Sequence, residues 1–444
     1  MTEHKTFKAR VRARMARTGE RYVTARRRVV EAGSTSADET GPVDDHGYRL
    51  RGGVHPETAG VANILANLGV TAAHTGAPLS EAMVLGAGGG LGAGYILWEF
   101  EAHADARVLV LGFRNSWQYP DRWAAKTIER LGLQGELLHT GGTKAAGEQL
   151  DAALERGRPA LAWIDPQLLG YWHLPSFLEG HSGYPVVVHG RDGDRMRIDD
   201  RNVAPLTVSV DTLAAARGRI GSFRNRLLVI EPADVIAEDR LRAAARAGLE
   251  EMVEHLSRPS DSFSLPAWRK WGRLLTDTRN AKAWPKVFAD PTGLVGALVS
   301  TYEGIEPIGP DGGNLRGLFA DFVEEAAVLL DRPELGEIAE RYREIAAAWH
   351  DLAEAALPLT EPDLATIRDL LAAVSALVVG EGDAGAPAAE QAAAQLWALR
   401  GRWRAASPFE QAAASALFAD LGARLQAIHT AETAAVAHLG RLVG

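Results

Sequence analysis

Apolar positions along this chain follow two periods, and the change between them falls near Pro232. Before it, short continuous apolar runs at 108–113, 159–164, 185–189, 194–199 and 227–231 predict strands. Apolar positions at helical spacing predict helices over about 56–68, 121–131 and 143–156, and the glycines of 86–94 predict a turn. Helices and strands mix without a βαβ rhythm, which makes the fold class α+β. From 233 to 444 the chain is Ala-, Leu-, Glu- and Arg-rich and amphipathic, so an all-α region is predicted, broken at the turn-rich 257–266 and 304–314 and at Gly380–Pro387. Leu318, Phe319, Phe322, Tyr342 and Trp349 are spaced to face inward.

The same pass divides the chain into a helical arm (1–33), a polar linker (34–47), an α+β domain (48–232) and the helical domain (233–444). In the arm, Phe7, Val11, Met15 and Tyr22 lie at near-helical spacing among ten Lys and Arg. Residues 1–30 therefore carry +8, and the remaining −17 sits on the body. Such an arm suits an anionic partner, nucleic acid included. The plainer outcome, a basic helix solvated or docked on its own acidic body, outweighs it. Apolar runs stay far below the ~20 residues of a membrane helix, and the basic N-terminus has no apolar signal core. A cytoplasmic homo-oligomer without membrane contact is expected.

No cysteine is present, which removes disulfides, thiolate metal sites and thiol nucleophiles. Hydroxyls at Thr58 and Ser80 could replace a thiol only with a base at hand. Capping the helix start or packing in its first turn is the plainer role for Thr58, with Glu57 favoured there by the helix dipole, and an N-cap is the plainer role for Ser80. His55, His173, His181 and His189 have no metal-ligand spacing, so no metal is expected. Gly88-Gly89-Gly90-Leu91-Gly92-Ala93 fits G-x-G-x-x-A, but no full strand precedes it. No cofactor is expected, and the glycines are assigned to close backbone packing. Trp117 and Trp172 could wall a ligand or fill core.

Several motifs in order carry a resemblance. Gly53-Val54-His55-Pro56-Glu57-Thr58-Ala59, Leu79–Gly86 with Gly88–Gly92, Val108–Arg114, Pro185–Gly190 and Asp200-Arg201 resemble the N-terminal domain of butirosin biosynthesis protein H. The stretch from Ser260 to about Leu357 resembles the helical domain of unknown function that commonly follows it. This resemblance implies a papain-like domain followed by helices, and transfer of an aminoacyl group from a carrier-protein thioester to an amine. A cysteine at a helix N-terminus, a histidine base and an orienting carboxylate would perform that chemistry.

Residue by residue, the resemblance puts Pro56 in the nucleophile's place, Tyr184 in the base's and Asp200 in the carboxylate's. Proline keeps the helix start and removes the reaction. The expected function is that of a degenerate acyl- or aminoacyl-transferase relative holding a small molecule, a peptide or a carrier-protein-bound acyl group. Its cleft would comprise His55, Glu57, Tyr184, Trp117 and Trp172. The alternative is an active transferase of a natural-product or peptide-modification pathway, using Thr58, His181 and Asp200. Whether the chain is an enzyme stays open at this point.

Overall fold

Ala160-Leu-Ala-Trp-Ile164 is apolar at every position, so as a strand it must be covered on both faces. The computed structural model, which describes residues 43–100, 106–181, 183–310 and 312–444, shows how. The basic arm and most of the linker lie outside the described residues. The chain divides into the units Met1–Arg51 and Gly52–Gly444. In the first, Val43 bridges Arg49. All that follows concerns the second.

Its first half runs α1 (Pro56–Asn67), β1 (Thr71–Ala72), α2 (Glu81–Ala87), β2 (Leu91–Phe100), β3 (Ala106–Arg114), α3 (Pro120–Arg130), β4 (Gly135–Leu138) and α4 (Thr143–Glu155). It continues through β5 (Ala160–Ile164), α5 (Pro166–Leu169), β6 (Tyr184–Asp192), β7 (Arg195–Asp199), β8 (Thr207–Ser209), α6 (Val210–Arg219), β9 (Leu227–Ile230) and β10 (Val235–Ile236). Six strands form one sheet in the order β4-β9-β5-β6-β7-β8, with every pairing antiparallel. The α+β class holds.

The faces alternate as a pleat requires. Ala160, Ala162, Ile164, Val186 and Val188 point to one side, where Leu150 and Ala153 of α4 and Leu213 and Ala216 of α6 cover them. Leu161 and Val187 point to the other and meet α1. There a β-carbon at Gly60 would lie 2.7 Å from Leu161 Cδ1, so glycine sets how closely that helix sits on the sheet.

The glycine run is not the simple turn its composition predicts. Only Gly88–Gly90 connect α2 to β2; Gly92 and Gly94 lie inside β2. β2 pairs with β3 as an antiparallel hairpin. A β-carbon at Gly94 would lie 2.7 Å, and one at Gly112 2.1 Å, from the Trp117 indole. Trp117 therefore packs over the hairpin backbone, against its assignment to a cleft wall.

The second half is helical apart from β10, which pairs with β1. It comprises α7 (Glu238–Ser257), α8 (Pro266–Thr276), α9 (Trp284–Val287), α10 (Leu294–Ile305), α11 (Arg316–Leu329), α12 (Leu335–Ala356), α13 (Pro362–Glu381), α14 (Ala386–Arg402) and α15 (Gln411–Val443). Phe319, Phe322, Tyr342 and Trp349 are buried as expected, whereas Leu318 is only half-buried. Leu315, just before α11 and left-handed at φ 61°, takes the buried place one turn earlier. The hairpin is inserted among these helices. Tyr95 of β2 stacks on Trp271 at 5.2 Å and accepts a hydrogen bond from Trp284 Nε1 at 3.1 Å.

At the centre Glu432 of α15 and Arg316 of α11 form an ion pair of almost no exposure. The carboxylate accepts from Arg316 Nε and Nη2, both at 2.9 Å, and from the indoles of Trp349 at 2.7 Å and Trp268 at 3.3 Å. The guanidinium lies over Phe113, 4.9 Å from the ring centroid. Among the described residues no helix is long and apolar enough to cross a membrane.

α7 crosses α2 so closely that a β-carbon at Gly248 would lie 2.0 Å from the Gly86 carbonyl oxygen. Gly248→Ala must move backbone, and a loss of about 2–3 kcal/mol in a denaturant melt is expected. Gly147→Ala in α4 meets nothing within 4 Å, so a gain of about 0.5 kcal/mol is expected from reduced unfolded-state entropy. Equal effects at the two positions would refute the close crossing.

Candidate functional site

The start of α1 is where the sequence motifs converge, and its neighbourhood is built from three buried polar groups of residues. His55 is the N-cap, extended at φ −116°, and its Nδ1 accepts from the Glu57 N–H at 3.3 Å. Pro56 occupies the first turn, where an N–H would have no partner. Burial, then the charges of Arg114 and Arg201, hold the His55 pKa well below 6.5, so its imidazole is neutral. The cap is thus His55, not Thr58.

Glu81, the first residue of α2, forms one group. Its carboxylate accepts from the backbone N–H of Val54 at 2.8 Å and of His55 at 2.9 Å, and from the Thr58 hydroxyl at 2.6 Å. Burial raises its pKa, and these hydrogen bonds oppose the rise. Thr58 is fully buried and its hydroxyl also reaches His55 O at 3.4 Å. It braces α1 against α2.

Glu57 forms the second group, as a buried ion pair with Arg114 at the end of β3. The Arg114 guanidinium stacks on Trp123, 4.4 Å from its centroid, and donates to Asn115 O at 2.6 Å. Burial pushes the Glu57 carboxyl up, and the Arg114 charge pulls it back.

The third group surrounds Asp200, which follows β7. Its Oδ2 accepts from Tyr171 at 2.9 Å and from the Trp172 indole at 2.8 Å, and its Oδ1 accepts from Tyr184 Oη. Burial keeps the Tyr184 phenol well above its ordinary pKa, hence protonated. Arg201, in a left-handed conformation at φ 61°, folds back over this group. It donates to Asp200 Oδ1 at 3.2 Å, to Tyr184 Oη at 2.6 Å and to the Val54 carbonyl at 3.1 Å, one residue before the helix cap.

The second half closes the site. Arg201 donates to Gly309 O at 3.2 Å, and a β-carbon at Gly312 would lie 2.8 Å from His55 Cα. The connection between α10 and α11 therefore lies directly on the start of α1. Glu306 at its base accepts from or pairs with His350 Nδ1 at 2.7 Å.

His55, Glu57, Thr58, Tyr184, Trp172 and Asp200 are thus brought into linked networks around α1. His181 is placed otherwise. It is exposed on the turn before β6, with its Nδ1 3.0 Å from Glu179 O, and it is not among the hydrogen-bond partners of Thr58. Glu81 and Arg201 lie inside the quoted motifs yet have no role legible there; Arg114 has only its place after an apolar strand. Among the described residues no group of three or more His, Asp or Glu is arranged to hold a metal.

Ser80 caps α2, accepting from Met83 N–H at 2.9 Å, and donates to Glu325 at 2.8 Å. Burial pushes the Glu325 carboxyl up to about 7. The fold then holds a proton that the unfolded chain releases near 4.5, so stability falls as pH rises from 4.5 to about 7 and stays lowered above. Glu325→Gln should remove this dependence, matching wild type near pH 4.5 and gaining about 1 kcal/mol above neutral pH. Parallel stability–pH curves for the two proteins would refute it.

Residues 55–201 match the family model described as butirosin biosynthesis protein H, N-terminal, and residues 211–382 match that of a domain of unknown function. No curated protein matches the chain.

Proposed function

We propose that this chain, a member of the butirosin biosynthesis protein H N-terminal family over residues 55–201 with a domain of unknown function over 211–382, is a non-catalytic relative of acyl and aminoacyl transferases. Its papain-like framework serves as a binding or assembly scaffold for a carrier protein, a peptide or a small molecule. One observation supports the reading: Tyr184, in the place of the base, is a phenol held between Asp200 and Arg201, and Arg201 also binds the Val54 carbonyl beside the helix start.

Pro56 offers no nucleophile. Tyr184 spends its proton on Asp200, and a phenol is not a base while protonated. Thr58 donates to a carboxylate of raised pKa, which has the look of a nucleophile and its base. That carboxylate also fastens two backbone N–H groups, however, and the hydroxyl has no access to solvent.

Incubating the full-length protein with a small aminoacyl thioester and recording its intact mass tests the reading. No adduct is expected. An adduct that appears in wild type and is lost in Thr58→Val would establish the active transferase instead.

A further inference from the structure

A second concavity lies away from the start of α1, where β7, β8 and α5 face the turn between α13 and α14. It is a groove of about 320 Å³, within the range of small-ligand sites and at the seam between the two family-matched regions. Leu169, Leu206, Val208 and Val378 make its apolar floor. The seam is fixed by backbone: Asp383 N–H donates to Pro205 O at 2.8 Å, and Val203 N–H to Val379 O at 2.9 Å. The groove is therefore a built feature and not a gap between loosely placed parts.

Two polar groups at its edge are incompletely used. His173 is held left-handed at φ 50°, and its Nε2 is buried without a hydrogen-bond partner among the described residues. An orphaned buried nitrogen of this kind costs stability unless something fills it. Arg195 is exposed and donates through Nε at 3.2 Å and Nη2 at 3.1 Å to Thr207, leaving Nη1 without a hydrogen bond among the described residues and the guanidinium linked to Asp383 only through the shared Thr207 hydroxyl, in no direct ion pair. The one carboxylate on the wall, Asp383, is already engaged: its oxygens accept from Thr207 N–H at 3.0 Å and Thr207 Oγ1 at 2.7 Å.

We infer that this groove binds a small amphipathic carboxylate, its aliphatic body on the apolar floor and its carboxylate between Arg195 and His173 Nε2. A guanidinium in no direct ion pair favours an anion, and the floor favours an aliphatic chain over a sugar or nucleotide. Tyr171, another wall residue, donates to Asp200, so an occupant touches the same tyrosine that supports the network at α1.

Octanoate titrated into the full-length protein, with octylammonium and 1-octanol as controls and Trp fluorescence as readout, tests this. Trp172 packs with Val378 and Ala389 beside the groove and reports occupancy. Saturable binding of octanoate over both controls is expected. Arg195→Gln should weaken it at least about tenfold without changing the weak octanol binding. Ala386→Phe, on the exposed groove mouth, should abolish both. Both sites are at the surface, and an unchanged melt confirms that each variant is folded. Octylammonium binding as tightly as octanoate, no saturable octanoate binding, or affinity unchanged in both variants would each overturn the assignment.

Discussion

Glu432→Ala is expected to lower the unfolding free energy by about 3–5 kcal/mol, because it strands the Arg316 guanidinium in a fully buried site. Arg316 is entirely enclosed. Without the carboxylate its Nε and Nη2 lose their 2.9 Å acceptors, and the Trp349 and Trp268 indoles lose theirs. Only the Asn314 and Gly92 carbonyls, at 2.9 and 3.2 Å, remain to the guanidinium. Replacing the pair together, as Arg316→Met with Glu432→Leu, should recover the part of the loss that comes from the stranded charge, since a buried ion pair is cheap to exchange for apolar groups of like volume, while the two indole N–H groups stay without an acceptor. Denaturant melts followed by Trp fluorescence measure both. A Glu432→Ala loss below about 1 kcal/mol would mean that water reaches this pair.

Pro56→Cys alone is expected to yield no acyl-enzyme, while Pro56→Cys with Tyr184→His should react with a small thioester at least about 100-fold faster, the scale of a placed general base. Position 56 lies at the start of a capped helix, which lowers a thiol pKa. In the single variant position 184 is still a phenol, already donating to Asp200. Histidine at 184 could use the same aspartate as its orienting partner. Arg201, whose Nη2 lies 2.6 Å from the present Tyr184 oxygen, would favour the thiolate and keep the imidazole neutral. Intact mass after timed incubation is the measurement, and equal labelling of the two variants would show that another group serves as base.

The parts legible in the sequence were those whose cause is local. Buried strands such as Ala160–Ile164 and the first half of Tyr184–Asp192 announce themselves as apolar runs; each begins within a residue of the expected start, but the second runs three residues past the expected 189, where its positions turn polar. β2 was missed because Gly92 and Gly94 read as turn residues; they are there to admit the Arg114 backbone and the Trp117 ring. β4 was missed because it is a short edge strand with no apolar pattern, held by its ladder to β9.

The site divides along the same line. His55, Pro56, Tyr184 and Asp200 could be placed from contiguous motifs. Arg201 could not, because its bond to Val54 spans 147 positions. Glu57 and Arg114, and Thr58 and Glu81, pair for the same non-local reason. His181 stood near Tyr184 in sequence, but the left-handed Gly180 and the Gly183 backbone, pressed against Phe223, carry it outward.

A ribosome making this chain releases Gly135–Leu138 well before Leu227–Ile230, the strand that pairs with it. At usual synthesis rates the delay is on the order of ten seconds. Until then β5 also lacks its β9 neighbour, so the nascent sheet presents open apolar edges. Arg316 waits for a counter-ion 116 positions further on, and the tryptophans around it wait as well. Folding during translation should therefore pause at a half-built sheet until β9 has emerged, and keep an open aromatic core until α15 has followed it.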